Sequence, residues 1–438
     1  MADQTNRRTV LKSVGAGAVA ISLASQSVEA AKKDKIVVGV IGPGGMGSSH
    51  TRNLSRRKDV EVAYVCDVDE QRMNKAAKHV QSVTGTAPKM VGDMRKVFDD
   101  KRVDAVFVAT PDHWHGPAAI LALDAGKHVY VEKPCCHNIR EGRLMADAVK
   151  RSGKQLQVGT QSRSTSTVAE AVKIVLSGKI GEVLVAKAWN SQRRRSIGKT
   201  KPSKPPAHLN YDSWVGPANM VPYRSNMLPG IWRWWHDFGC GDIGNDGVHD
   251  IDVALWGLGV DSHPSSMTCM GGKYFFDDDQ QFPDTQYSVA EYPVPGHKGK
   301  KKQMIFEQRI WSPYRQEEYE NGAAFYGTNG VVILGHTSGW RLYGPRNKFI
   351  AERRGKVDLV AHHSNFFSCI RGESKKLNAD INVGILAAGI VHLSNIAARI
   401  GEVLHFDPKT EQITNNAKAN ALVKRTYRNH WATPKGVG

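Results

Sequence analysis

The chain of 438 residues lacks most of the features that would place it in a metal-binding, membrane-spanning or nucleic-acid-binding class. It has few cysteines, six in all. Cys135 and Cys136 are adjacent, but no second pair stands elsewhere to complete a zinc site, so no metal is expected. Cys66 ends an apolar run and Cys369 sits in a helical pattern, which reads as small buried thiols. Beyond the first thirty residues no stretch reads as long and apolar enough to cross a membrane, and no internal repeat is present. Acidic residues are the scarcer charge, 42 against 60 Lys and Arg, for a formal net charge of +18. An excess of that size raises the question of a polyanionic partner. Yet Arg193-Arg194-Arg195, running on to Lys204, and Lys298-Gly299-Lys300-Lys301-Lys302 have no helix-turn-helix, zinc-finger or stacking-platform pattern beside them. Both clusters read as solvated loops, and no nucleic acid is expected.

The N-terminus carries its own signal. Arg7-Arg8-Thr9-Val10-Leu11-Lys12 is a twin-arginine pair followed by a small-residue apolar run from Val14 to Ala24. Val28-Glu29-Ala30 then offers the small residues that a signal peptidase accepts. Residues 1–30 are therefore expected to be a twin-arginine (Tat) signal peptide, with the Tat export machinery as a partner and the periplasm as destination.

From Lys35 to about Gly159, short apolar runs alternate with helix-length segments, the pattern of a parallel sheet covered on both faces. The runs are Ile36–Ile41, Glu61–Cys66, Ala105–Ala109, His128–Val131 and Gln155–Val158, with helical stretches such as Pro117–Asp124 and Arg140–Arg151 between them. After Thr165 the pattern changes. One helix-like segment, Thr167–Leu176, leads into strands separated by turns: Glu182–Trp189, Met267–Phe275, Gln286–Tyr292, Gln303–Trp311 and Ala323–Leu334. Several alternate polar and apolar, as antiparallel strands with one solvated face do. Helical periodicity returns over Asn365–Ile370 and Val383–Ile400. The expected domains are 35–160 and 161–438.

Gly42-Pro43-Gly44-Gly45-Met46-Gly47 lies between the first strand and a helix-like segment, where helix N-terminal amides can meet a pyrophosphate. Gly42 permits the tight turn, Gly44 lets a phosphate approach the backbone and Gly47 lets helix pack on strand. Asp67, at the end of the second strand, suits the adenosine ribose hydroxyls, and its charge should repel the extra phosphate of NADP, so NAD is expected. Two further segments end later strands and should face the cofactor: Thr110-Pro111-Asp112-His113-Trp114-His115 and Glu132-Lys133-Pro134. Lys133 can donate a hydrogen bond to a substrate hydroxyl or take its proton as hydride leaves. The expected cofactor contacts are residues 42–47, Asp67, Thr110, Pro111, His115, Glu132, Lys133 and Gln161.

In this order, the Gly-x-Gly-x-x-Gly turn, acidic strand end, Thr-Pro-x-x-x-His and Glu-Lys-Pro resemble the glucose–fructose oxidoreductase/inositol dehydrogenase (Gfo/Idh/MocA) family. The similarity continues through Gly181-Glu182-Val183, Tyr211–Pro217, Gly239–His249 and Asn365–Gly372. It implies an α/β Rossmann domain followed by an α+β C-terminal domain whose open, mostly antiparallel sheet carries a sugar-like substrate. It also implies Lys133 and His249 as the proton-handling pair, and pairing of sheet faces into a dimer or tetramer. The family's usual aspartate stands four residues before the histidine. Here that position is Asn245, which can orient a hydroxyl but cannot accept a proton. Asp246, about 100° further round an α-helix, should not replace it. Trp232-Arg233-Trp234-Trp235-His236-Asp237-Phe238 suits stacking on a sugar ring, with Trp232, Arg233 and His236 joining Asn245 as candidate substrate contacts. His362, His363 and Asn365 read as the opening of a helix.

Export narrows the reaction. Free NAD is scarce outside the cytoplasm, so the sequence predicts an exported NAD-dependent oxidoreductase that acts on a sugar, polyol or glycoside and keeps its cofactor tightly bound. Two alternatives are a redox-neutral NAD-dependent glycosidase or epimerase and a non-catalytic, NAD-binding sugar sensor. Family glycosidases of this type usually replace the lysine of Glu-Lys-Pro, so Lys133 favours the dehydrogenase.

Overall fold

The structure, a computed structural model, describes residues 35–437, and the expected signal peptide lies outside them. The first half is a doubly wound unit: β1 (Ile36–Ile41), α1 (Gly45–Ser55), β2 (Val60–Cys66), α2 (Glu70–Thr84), β3 (Lys89–Val91), α3 (Arg95–Asp99), β4 (Ala105–Val108), α4 (Asp112–Asp124), β5 (His128–Val131), α5 (Ile139–Ser152) and β6 (Leu156–Val158). Its six strands are parallel in the order β3-β2-β1-β4-β5-β6. The order reverses between β1 and β4, and that switch point opens the crevice in which such sheets bind ligands. Local chemistry sets the helix ends. Asp69 caps α2 by accepting from Gln71 N and Arg72 N, and Asn138 caps α5 by accepting from Glu141 N. Gly85 and Gly153 close the same helices in the left-handed conformation that glycine adopts readily.

The second half contains α6 (Ser166–Leu176), β7 (Val183–Asn190), α7 (Tyr211–Val215), α8 (Val248–Leu258), β8 (Ser266–Gly272), β9 (Thr285–Pro293), β10 (Lys301–Arg309), β11 (Asn321–Gly327), β12 (Gly330–Gly335), β13 (Gly339–Gly344), β14 (Lys348–Arg354), α9 (Leu359–Ile370), α10 (Ile381–Ile400), β15 (Leu404–Asp407), β16 (Gln412–Ile413) and α11 (Ala417–Ala421). Its ten strands form one open sheet in the order β14-β13-β12-β11-β7-β10-β9-β8-β15-β16. All neighbouring pairs are antiparallel except β7 with β10. Residues of α6, α8 and α10 share one buried cluster with this sheet. Three differences from the sequence reading bear on the architecture. Ala323–Leu334 is a hairpin rather than one strand, because apolar residues run almost to the turn at Thr328-Asn329. The polar segment Lys348–Arg354 is a strand at the sheet edge, where exposure leaves no apolar alternation to read.

The third concerns α10. It is the one helix among the described residues with the length and hydropathy (1.6) of a membrane span. It is a core helix instead. Ile390, Val391 and Leu393 join the cluster under the open sheet, while Ile381, Ile385 and Ala388 join that of the doubly wound half. An all-round apolar helix is what burial between two layers requires.

Candidate active site

A cavity of ≈ 620 Å³ runs from the glycine turn and Asp67 to Lys133 and Asn245. At its first end Gly42 has φ 77, and a Cβ there would stand 2.8 Å from Ala109 O. A Cβ on Gly47 would press into Gly42 O, so only glycine lets α1 pack this close to β1. The N-cap of α1 is Gly44, which offers no side-chain acceptor, and the first turn holds no acid. The exposed amides at this helix start fit a pyrophosphate. Gly42, Gly44, Gly45 and Met46 line the cavity, whereas Pro43 O accepts from Ser48 Oγ at 2.7 Å and Gly47 packs on the strand. Asp67 also lines it. Burial pushes its carboxyl up to about 6 against the opposing charge of Arg72.

Thr110, Pro111, His115, Glu132 and Lys133 bring the ends of β4 and β5 to the same cavity. The His115 ring ties the two loops together, with Nδ1 2.7 Å from Pro134 O and Nε2 2.9 Å from Thr110 O. Glu132 is buried, and its Oε1 lies 2.9 Å from His50 Nε2 and 3.4 Å from Gln161 Nε2. Burial alone would raise the Glu132 carboxyl, but the His50 bond and the charges of Lys133 and His115 hold it below the ordinary range. His50 continues to His363 Nε2 at 2.9 Å, and His362 Nε2 bonds to Val158 O at 2.9 Å. These histidines and Gln161 thus support Glu132 and its strand from behind and do not line the cavity. The helix they were expected to open starts earlier, at Leu359, capped by Asp358.

The far end is assembled from distant segments. Lys133 Nζ donates to the backbone carbonyl of Asn245. The Asn245 side chain accepts from Arg233 Nε at 2.7 Å and donates to Asp242 Oδ1 at 3.0 Å, which fixes its orientation. Residues Ile243–Gly247 form a π-helical turn leading directly into α8. Asn245 lines the cavity, whereas Asp246 pairs with Arg194, with Lys133 and His249 within electrostatic reach. Burial opposes its ionisation, but Arg194 first and then Lys133 hold the Asp246 carboxyl at about 2. Asp246 does not take the place of Asn245 at the cavity wall, but its charge reaches both Lys133 and His249.

His249 is buried, its Nδ1 has no hydrogen-bond partner, and its ring meets that of His336 edge-on at 5.1 Å. Burial, then Lys133 and His336, push its pKa well below the usual imidazole value, which leaves it neutral, while the Asp246 carboxylate favours its protonation. His336 in turn bonds to buried Asp250 at 3.0 Å. Trp232 and Arg233 line the cavity, with the guanidinium 4.4 Å over the indole. His236 does not join them: it packs edge-on against Phe282 at 4.3 Å.

Sequence reasoning missed two elements. Arg194, read as part of a solvated run, bridges Asp242 (3.0 Å) and Asp246. Its signal lay only in the unpaired acids it meets fifty residues later. The second is a strap over residues 206–233. It is stitched to the loop after β2 by Glu70 N donating to His208 O (3.0 Å) and Asn210 N donating to Val68 O (2.9 Å), and His208, Leu209, Tyr223 and Pro229 roof the cavity.

Residues 36–160 match the model of an oxidoreductase family with an NAD-binding Rossmann fold, and residues 164–286 and 317–433 match its C-terminal alpha/beta domain. A curated relative, a glycosyl hydrolase family 109 protein of Shewanella pealeana, is 27% identical over 206 residues, 42% of this chain and 45% of its own. The chain thus spans less than half the length of such relatives. Among solved structures, the WlbA dehydrogenase of Bordetella pertussis, in complex with NADH and UDP-GlcNAcA, superimposes with a TM-score of 0.64 at 18% identity, covering 85% of this chain and 99% of that one. An aldose-aldose oxidoreductase of Caulobacter crescentus, complexed with glycerol, gives 0.64 at 16%, covering 85% and 100%. At these identities the structural likeness concerns the fold.

Proposed function

The chain belongs to the Gfo/Idh/MocA oxidoreductase family, and on that premise we propose that it oxidises a carbinol carbon of a small sugar, polyol or glycoside with an NAD that stays bound between turnovers. The observation that carries this reading is Lys133 at the end of the glycine-turn cavity, with Asp246 and neutral His249 within electrostatic reach of it. NAD, when bound, supplies the two-electron acceptor. The chain's own groups handle the proton: Lys133 hydrogen-bonds the reacting hydroxyl, and His249 accepts the proton as the carbonyl forms. Asp246, kept ionised by Arg194, stabilises positive charge on that pair. Trp232 offers a stacking face, and Arg233 and Asn245 orient neighbouring hydroxyls.

The strap supports retention, because the dinucleotide would have to leave beneath hydrogen bonds that join it to the β2 loop. Retention in turn suits the export by the Tat pathway, to the periplasm, proposed from the twin arginines. Met270 and Tyr287 pair across β8 and β9 and are both exposed, which supports self-association through the open sheet. A second reading, redox-neutral cleavage of a glycoside, is favoured by the printed name of the curated relatives, but Lys133 speaks against it. Purified protein passed through gel filtration should retain NAD and show a rise near 340 nm with some member of a sugar and polyol panel. Protein that elutes without nucleotide would sink retention. Release of an aglycone from a glycoside, with no net reduction of the nucleotide, would favour the second reading.

A further inference from the structure

Arg72 is not among the residues that the glycine turn or Glu-Lys-Pro single out, yet three independent contacts bring its guanidinium to the phosphate end of the cavity. It stands in the first turn of α2, and Asp69, the cap of that helix, pairs with Nε at 3.4 Å. Nη2 donates to Pro229 O of the strap at 3.3 Å. Nη1 lies against Gly44, in the space that a Cβ on that glycine would take. Gly44 is also the N-cap of α1, where the helix amides have no acceptor from a side chain. A guanidinium in this position lies beside those amides, on the wall of the cavity that Gly44 and Arg72 both line. The amides and the planar, charged fork can thus donate to one phosphate group from neighbouring positions.

We propose that Arg72 is the latch of the dinucleotide site: it pairs the pyrophosphate beside the glycine turn and, through Pro229 O, fastens the strap over it. This rests on the reading that NAD is the ligand of the cavity and explains how the strap is coupled to occupancy. Asp69 orients the guanidinium from behind, and Asp67 beside it keeps to the ribose. Loss of one charged donor pair on phosphate corresponds to about 1.5–3 kcal/mol, or roughly a 10–100-fold change in affinity.

The test is calorimetric titration of nucleotide-free chain, prepared by charcoal treatment, with NAD, ADP-ribose, NADP and adenosine. In Arg72→Gln the affinities for NAD and ADP-ribose should fall about 10–100-fold, while that for adenosine, which has no phosphate, stays within about two-fold. Arg72→Lys should fall between, since an ammonium restores charge without the fork. An unchanged ADP-ribose affinity overturns the proposal. So does a parallel loss for adenosine, which would make Arg72 a packing residue of α2 and the strap. A loss confined to NADP would assign the guanidinium to the ribose phosphate and equally overturn it. Wild-type protein that fails to carry NAD through gel filtration would sink retention but leave the ADP-ribose to adenosine ratio intact as a measure of the latch.

Discussion

The two ends of the large cavity are built on different plans. At the adenosine end, the glycine turn, Asp67, Asp69 and Arg72 come from residues 42–72, a single turn–helix–strand–helix stretch in which sequence neighbours fix the geometry. At the reacting end, Lys133, Arg194, Arg233, Asn245, Asp246 and His249 come from separate segments that converge only when the two sheets dock. The electrostatics differ as well. Burial dominates at Asp67 and raises it to about 6, whereas nearby cations dominate at Asp246 and lower it to about 2. A site made locally can be moved between chains as a motif. A site made by convergence depends on the phase of every helix that feeds it.

If the two ends are separable, Lys133→Met should reduce sugar-dependent NADH formation by about 10²–10⁴-fold, with NAD retention on gel filtration unchanged. Loss of both together would show that the ends act as one unit. Asp246→Asn sharpens the comparison: we expect turnover to fall roughly 10–100-fold, with a pH–rate profile displaced because the charge beside His249 is gone. A profile identical to wild type would return Asp246 to a purely structural pairing with Arg194. Gly47→Ala attacks the local end. Its Cβ meets Gly42 O, so unfolding in urea should register a loss of about 1–3 kcal/mol, together with weaker NAD binding.

The smallest effects concern pH, and the two carboxylates should act with opposite signs. The Asp246 pKa is lower folded than the ordinary 3.8, so its stabilisation is complete above about pH 4 and is lost as pH falls toward 2. The Asp67 pKa is higher folded, so its contribution is best below 3.8 and declines as pH rises through about 6. Urea midpoints of nucleotide-free Asp67→Asn should flatten between pH 4 and 6, and those of Asp246→Asn between pH 4 and 2. Matching slopes in both variants would contradict the contrast.

The same contrast explains what the sequence made legible. The glycine turn and Asp67 could be placed because their spacing along the chain is their spacing in space, and the parallel and antiparallel halves followed from apolar runs and alternation. Arg194 could not, since nothing local separates it from Arg193 and Arg195; only the partners Asp242 and Asp246 do. The influence of Asp246 was hidden for the same reason, since Arg194 and Lys133, the charges it meets, come from distant segments. The strap over residues 206–233 includes parts of the Tyr211–Pro217 and Trp232–Phe238 segments, but its place over the cavity appears only in its bonds to the β2 loop. The hairpin at Thr328-Asn329 was merged because that turn is so short.

Helix α10 has a consequence beyond packing. Twenty residues with a mean hydropathy of 1.6 sit safely between the two sheets only after both have formed. A channel that threads polypeptides in extended form would present this segment sideways to lipid, where its composition would satisfy a stop-transfer test. Any passage of this chain across a bilayer therefore favours a carrier that accepts cargo after folding, with this apolar helix already out of sight.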